Sequence, residues 1–145
     1  MSELRFQRLD PRAVLPARAH PGDAGLDLSA LDGGEIAPGD RLRVGTGLAV
    51  AVPDGCAGLV LPRSGLASRH GVTVANAPGL IDSGYRGELQ VLLVNLDSSQ
   101  TFTFGAGERI AQFVVVEVLA GEPVEAAELD DTERGGGGFG SSGRA

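Results

Sequence analysis

The segment Gly79-Leu80-Ile81-Asp82-Ser83-Gly84-Tyr85-Arg86-Gly87 brings a carboxylate and an aromatic ring together between glycines. Glycines at 79, 84 and 87 suggest a tight hairpin in which backbone comes close to something. A carboxylate placed there can take a proton from water as a general base. It can equally cap its own turn. Asn76, just upstream, reads either as a turn residue or as an amide able to meet a base edge.

A second candidate is Pro62-Arg63-Ser64-Gly65-Leu66-Ala67. It follows an apolar run and opens a short helix. A strand-to-helix turn offers free backbone N–H groups to an anion, and Arg63 and Ser64 add side-chain donors. No Walker lysine motif is present. The alternative is an ordinary helix start, with Ser64 as N-cap and Arg63 on the surface. Asp27, between Leu26 and Leu28 on an expected strand, faces away from both. It reads as a solvent-facing acid, or as one that supports Mg²⁺ through water, since Mg²⁺ keeps its waters and borrows few carboxylates. Gln112 is polar within an apolar run and needs a partner, either backbone or ligand.

The C-terminus holds a third group. After an acidic stretch (Glu122, Glu125, Glu128, Asp130, Asp131, Glu133) comes Arg134, four glycines, then Phe139-Gly140-Ser141-Ser142-Gly143. By composition this is a flexible low-complexity tail. It could also close over a ligand, with Gly and Ser amides and Arg134 on phosphates and Phe139 stacked on a base. Base–aromatic stacking contributes roughly 1–3 kcal/mol.

The elements that must position these residues are strands. Leu42, Val44, Thr46, Leu48, Val50 and Val52 share one side of a strand expected over 41–52. Short apolar runs at 59–61, 73–75, 89–96 and 110–119 are separated by Gly, Pro, Asn and Asp, which predicts an all-β sandwich or barrel. The one helical pattern is Ser64–Arg69, with Gly71 as its stop. The chain of 145 residues divides into a β domain over 1–120 and a tail over 121–145. Hydrophobic residues make up 42%, enough for a core, and with Trp absent that core must be mainly aliphatic.

A net charge of −7 argues against a nucleic-acid binder. The lone Cys56 excludes an internal disulfide and reads as a buried core thiol. No run approaches the ~20 apolar residues of a membrane span, and Met1-Ser2-Glu3-Leu4-Arg5 begins no signal core. A reduced, cytoplasmic protein is expected.

Taken in order, Ala24–Ala30, Pro62–Ala67, Asn76 with Gly79–Gly87, Arg109–Phe113 and Arg134–Gly143 closely resemble the five motifs of the trimeric dUTP diphosphatases (dUTPases). The resemblance spans about Ala24 to Gly143. It implies a distorted jelly-roll (β-clip) fold and a homotrimer whose active sites draw on more than one chain. It also implies Mg²⁺-assisted hydrolysis of dUTP to dUMP and pyrophosphate, which keeps uracil out of DNA and supplies dUMP for thymidylate synthesis.

Carried over by position, Asp82 matches the residue that orients the attacking water and meets the 3′-hydroxyl, and Tyr85 the ring that packs on the sugar. Asn76, Leu80, Ile81 and Gln90 match the uracil-reading edge. Arg63, Ser64, Gly65 and Gln112 match phosphate contacts, and Asp27 the carboxylate behind the metal. Arg134, Phe139, Gly140 and Ser141 match the closing tail. Ser142 stands where many members have Thr. A related fold belongs to dCTP deaminases, which carry a Glu ten residues after the hairpin Asp; here that position is Leu92.

Overall fold

The computed structural model describes residues 3–119 and 121–145. Met1 and Ser2 of the N-terminal reading, and Ala120 at the expected domain boundary, lie outside the described residues.

Among the described residues the fold is all-β with one short helix. The strands are β1 (Arg5–Arg8), β2 (Leu26–Ser29), β3 (Gly34–Ile36), β4 (Arg41–Gly45), β5 (Leu48–Ala51) and β6 (Cys56–Leu61). Helix α1 (Ser64–His70) follows, and then β7 (Val72–Val74), β8 (Gly79–Ile81), β9 (Gln90–Asn95), β10 (Phe102–Phe104) and β11 (Arg109–Glu117). All pairings are antiparallel. One sheet runs β2-β11-β6-β8, a second runs β4-β9-β7, and two further pairs join β1 to β5 and β10 to β3.

Alternation explains the core. Val91, Leu93 and Asn95 on β9 turn inward while Leu92 and Val94 are only half-buried. The interior is mainly aliphatic, with Phe113 fully buried at its centre and Phe6 set edge-on to it at a centroid distance of 6.0 Å. A Cβ at Gly58 would lie 2.6 Å from Phe113 Cε2, so β6 can cross the ring only with glycine there. The buried Asn95 is fully satisfied: its amide donates to the carbonyls of Ile36 and Gln100, and its oxygen accepts from the Asp97 N–H.

Three expectations change. The strand expected over 41–52 is two strands in different sheets, broken at Thr46-Gly47. Gly47 has φ of +69°, and the Thr46 hydroxyl donates to the Leu89 carbonyl rather than joining the alternation. Arg63, not Ser64, occupies the N-cap position of α1, and no side chain caps it. The expected stop holds: Gly71 closes the helix in the left-handed region at φ of +65°. Cys56 is half-buried at the start of β6, packed against the core rather than sealed in it.

Candidate active site

The residues of three motifs meet in a cleft of about 380 Å³ at one end of the β2-β11-β6 sheet. Asp27, Arg63, Ser64, Gly65, Arg109 and Gln112 line it. Backbone register explains the meeting, because Gln112 on the central β11 lies opposite Asp27 on one side and Leu61 on the other. Pro62 and Arg63 then carry the chain from the end of β6 into α1.

Asp27 is not the free surface acid that strand alternation allows. Its Oδ2 faces Arg109 Nη1 at 3.2 Å and its Oδ1 faces Arg63 Nε at 3.9 Å. The Arg63 Nη1 in turn donates to the Arg109 carbonyl at 2.9 Å. One carboxylate thus holds two guanidinium groups at the mouth of the cleft. Gln112 donates weakly to the Pro62 carbonyl at 3.4 Å. Its oxygen lies against Gly25, where a Cβ would be only 2.7 Å away. Gly25 is therefore the residue that leaves room for Gln112.

Arg109 is the residue that sequence reasoning left out of the site. In a regular strand, residues 109 and 112 would face opposite sides. The register shifts between Arg109 and Ala111, and this bulge turns both toward the cleft. Nothing in Arg109-Ile110-Ala111 marks a bulge; Ile110 and Ala111 are both plain core residues.

The second group sits elsewhere. Asp82 is exposed just after β8, and its carbonyl accepts the Tyr85 N–H at 3.1 Å. The Tyr85 hydroxyl donates to the Glu88 carbonyl at 2.9 Å. Gln90 Nε2 donates to Glu88 Oε2 at 3.1 Å. Asn76 lies against Gly79, with Nδ2 3.4 Å from where a Cβ would stand. Leu80 is exposed and Ile81 half-buried. The segment is not the hairpin expected from its glycines. Its first arm, β8, pairs with β6, whereas its second, β9, lies between β4 and β7, so residues 82–89 cross from one sheet to another.

The third group is the tail. Gly135, Gly137, Ser141 and Gly143 each donate a backbone N–H to the carbonyl three residues earlier, and Arg134 Nε donates to the Gly137 carbonyl. Phe139 is fully exposed, with φ of +50°, next to Gly140 at +88°. Among the described residues, no hydrogen bond or ion pair joins the tail, the Asp82 loop and the Arg63 cleft to one another.

Comparison with known proteins identifies the family. The dUTPase family model matches residues 12–143. The deoxyuridine 5'-triphosphate nucleotidohydrolase of Mycolicibacterium gilvum is 52% identical over 147 residues, spanning 98% of this chain and 96% of the relative. A mutant dUTPase of Staphylococcus bacteriophage 80alpha, solved with dUpNHpp, superposes with a TM-score of 0.93 at 28% identity, covering 99% of this chain and 100% of that one. The dUTPase of phage phi11 of S. aureus, described with a structural Mg(II) ion, superposes with a TM-score of 0.80 at 26% identity, covering 88% and 98%. By the extent of the family match and its full-length relatives, this chain belongs to the dUTPase family.

Proposed function

We propose that this dUTPase-family hydrolase converts dUTP to dUMP and pyrophosphate through water attack on the α-phosphorus, with Asp82 as general base. The new bond forms between the water oxygen and the α-phosphorus. The bond to the oxygen bridging to the β-phosphorus breaks, and pyrophosphate departs while Asp82 takes the water proton. The observation that carries this reading is the cleft in which Arg63, Ser64, Gly65 and Gln112 converge beside Asp27. A triphosphate needs positioning and charge stabilisation more than covalent chemistry, and that cleft offers a guanidinium, a hydroxyl and an amide to its oxygens.

The remaining residues take the roles that the family resemblance implies. Tyr85, tied down at its hydroxyl, presents its ring to the sugar. Asn76, Leu80, Ile81 and Gln90 form the edge that reads uracil. Arg134 meets the terminal phosphate, Phe139 stacks on the base, and Gly140 and Ser141 add backbone donors. The acidic stretch and tail, residues 121–145, act as a lid on the β domain.

Magnesium fits this donor set in one way. Among the described residues, no three His, Cys, Asp or Glu side chains cluster to hold a metal. Asp27 lines the phosphate cleft and would support Mg²⁺ through water, the phosphates supplying the direct ligands. When bound, the ion neutralises phosphate charge and limits the conformations of the chain.

The separation of the Arg63 cleft from the Asp82 loop favours a site completed by a neighbouring copy, and the reading is a homotrimer with shared sites. It places the enzyme in the cytoplasm with its nucleotide pool, acting on no nucleic acid and at no membrane; no helix among the described residues is long and apolar enough to span one.

The test is pyrophosphate release across dUTP, UTP, dCTP and dTTP, with Asp82→Asn alongside. Preference for dUTP and a loss of turnover of about 10²–10⁴ in Asp82→Asn are expected. Equal rates on all four substrates, or full turnover in Asp82→Asn, would overturn the reading.

A further inference from the structure

One carboxylate beside the Asp82 loop is gripped on both oxygens yet has no role in the reaction described above. Glu88 Oε1 accepts the Gly47 N–H at 2.9 Å, and Oε2 accepts from Gln90 Nε2 at 3.1 Å. Its own carbonyl accepts the Tyr85 hydroxyl at 2.9 Å. Gly45 leaves room for this carboxylate and Gly87 for the Tyr85 ring. A Cβ at Gly45 would stand 2.7 Å from Glu88 Oε1, and one at Gly87 would stand 2.6 Å from Tyr85 Cζ. The corner where β4 gives way to β5 thus admits an acid from the 82–88 loop.

The next residue, Leu89, is fixed at the same corner: its N–H donates to the Leu48 carbonyl at 2.7 Å, and its carbonyl accepts from the Thr46 hydroxyl at 2.7 Å. The remaining hydrogen bonds of residues 82–88 are local. Tyr85 N–H reaches the Asp82 carbonyl, and Arg86 Nη1 donates to the carbonyls of Ser83 and Tyr85. These bonds shape the loop without tying it to the sheets. Glu88 supplies the side-chain tie, one residue closer to the loop than Leu89, and a charged acceptor on a backbone N–H holds more strongly than a neutral one.

We propose that Glu88 is a positioning residue: it anchors the Asp82–Gly87 loop to the β4–β5 corner. By that anchor it sets where Tyr85 and Gln90 stand, and hence which sugar and base are accepted, without touching substrate. The inference rests on the roles proposed above for Asp82, Tyr85 and Gln90.

The test uses the full chain carrying Glu88→Ala, Glu88→Gln or Gly45→Ala. It measures kcat and KM on dUTP and UTP, inhibition by pyrophosphate, and Tm, with Asp82→Asn as a parallel arm. Glu88→Ala is expected to lower the dUTP-over-UTP preference in kcat/KM about tenfold, the scale of one lost charge-assisted bond. Pyrophosphate inhibition, which needs only the Arg63 cleft, should hold. Glu88→Gln keeps an oxygen for Gly47 and should recover most of the preference. Gly45→Ala crowds the carboxylate without removing it and should lose the preference, and it carries the test if Glu88→Ala does not fold. An unchanged preference in both Glu88→Ala and Gly45→Ala, with Asp82→Asn inactive, overturns the role of Glu88 alone. Full turnover in Asp82→Asn overturns the site reading and this inference with it.

Discussion

Arg63 and Asp82 leave one antiparallel ladder at opposite ends. Ile81, immediately before Asp82, pairs with Gly58 on β6, whereas Leu61 at the far end of β6 lies level with Gln112 and leads into Arg63. The three residues from Gly58 to Leu61 span about 10 Å of strand, and Asp82 lies one residue further out. Within one copy the proposed base and the proposed phosphate cleft therefore stand apart, and this separation is what supports the proposed reading of a site shared between copies.

Subunit mixing tests that consequence. Arg63→Ala and Asp82→Asn should each be nearly inactive alone. Unfolded together in equal amounts and refolded, they should recover activity at about one quarter of the sites, the share that draws both intact residues in a randomly assembled ring. Activity that stays at the level of the separate variants after verified subunit exchange would mean that each site lies within one chain.

Gly25→Ala should act on Gln112 without touching the substrate itself. The added methyl meets the Gln112 oxygen, the far end of a side chain that can swing aside. The fold should persist, with Tm within a few degrees. KM for dUTP should rise roughly tenfold, the scale of one displaced polar contact. A wild-type KM would show that Gln112 contributes little to phosphate binding.

Ending the chain at Glu133 should leave a folded protein with crippled hydrolysis. The hydrogen bonds of residues 134–143 stay within the C-terminal segment, and Phe139 is buried against nothing. Circular dichroism and Tm should match the full chain while kcat/KM falls by one or more orders of magnitude. A large drop in Tm would mean that the tail supports the body.

Asp97 gives a pH prediction on stability. Its carboxylate accepts backbone N–H groups of Ser99 and Gln100, at 3.0 and 2.7 Å, and these hold its pKa below the ordinary value of 3.8. A carboxyl depressed in the folded state stabilises it above the unfolded value and stops doing so as pH falls through the folded one. Asp97→Ala should therefore lower Tm at pH 7, and the gap to wild type should close below about pH 4. A gap that stays constant to pH 3 would place the effect in packing rather than in charge.

Much of this was legible in the sequence, because period-two alternation and turn residues act locally. The strand runs and the helix with Gly71 as its stop follow from such signals, while the five motifs were legible only by their resemblance to the dUTPases. What escaped depends on distant partners. The break at Thr46-Gly47 forms because Thr46 bonds to Leu89, 43 residues away. The bulge that turns Arg109 into the cleft exists only in the register of β11 against β2. The 79–87 segment resembles a hairpin by its glycines, but β8 finds β6 instead. Ser64 looks like a cap by type, yet the chain enters the helix one residue earlier.

The placement of β8 has one more consequence. It is the outermost strand of its sheet and three residues long, and among the described residues no strand lies along its free side. If uracil is read there, much of the reading falls to amide and carbonyl groups common to every residue. Exchanging the exposed Leu80 for another side chain would leave those groups in place. Selectivity of that kind is hard to erode one codon at a time, and a compound that imitates the base by pairing with the peptide backbone would meet few escape routes.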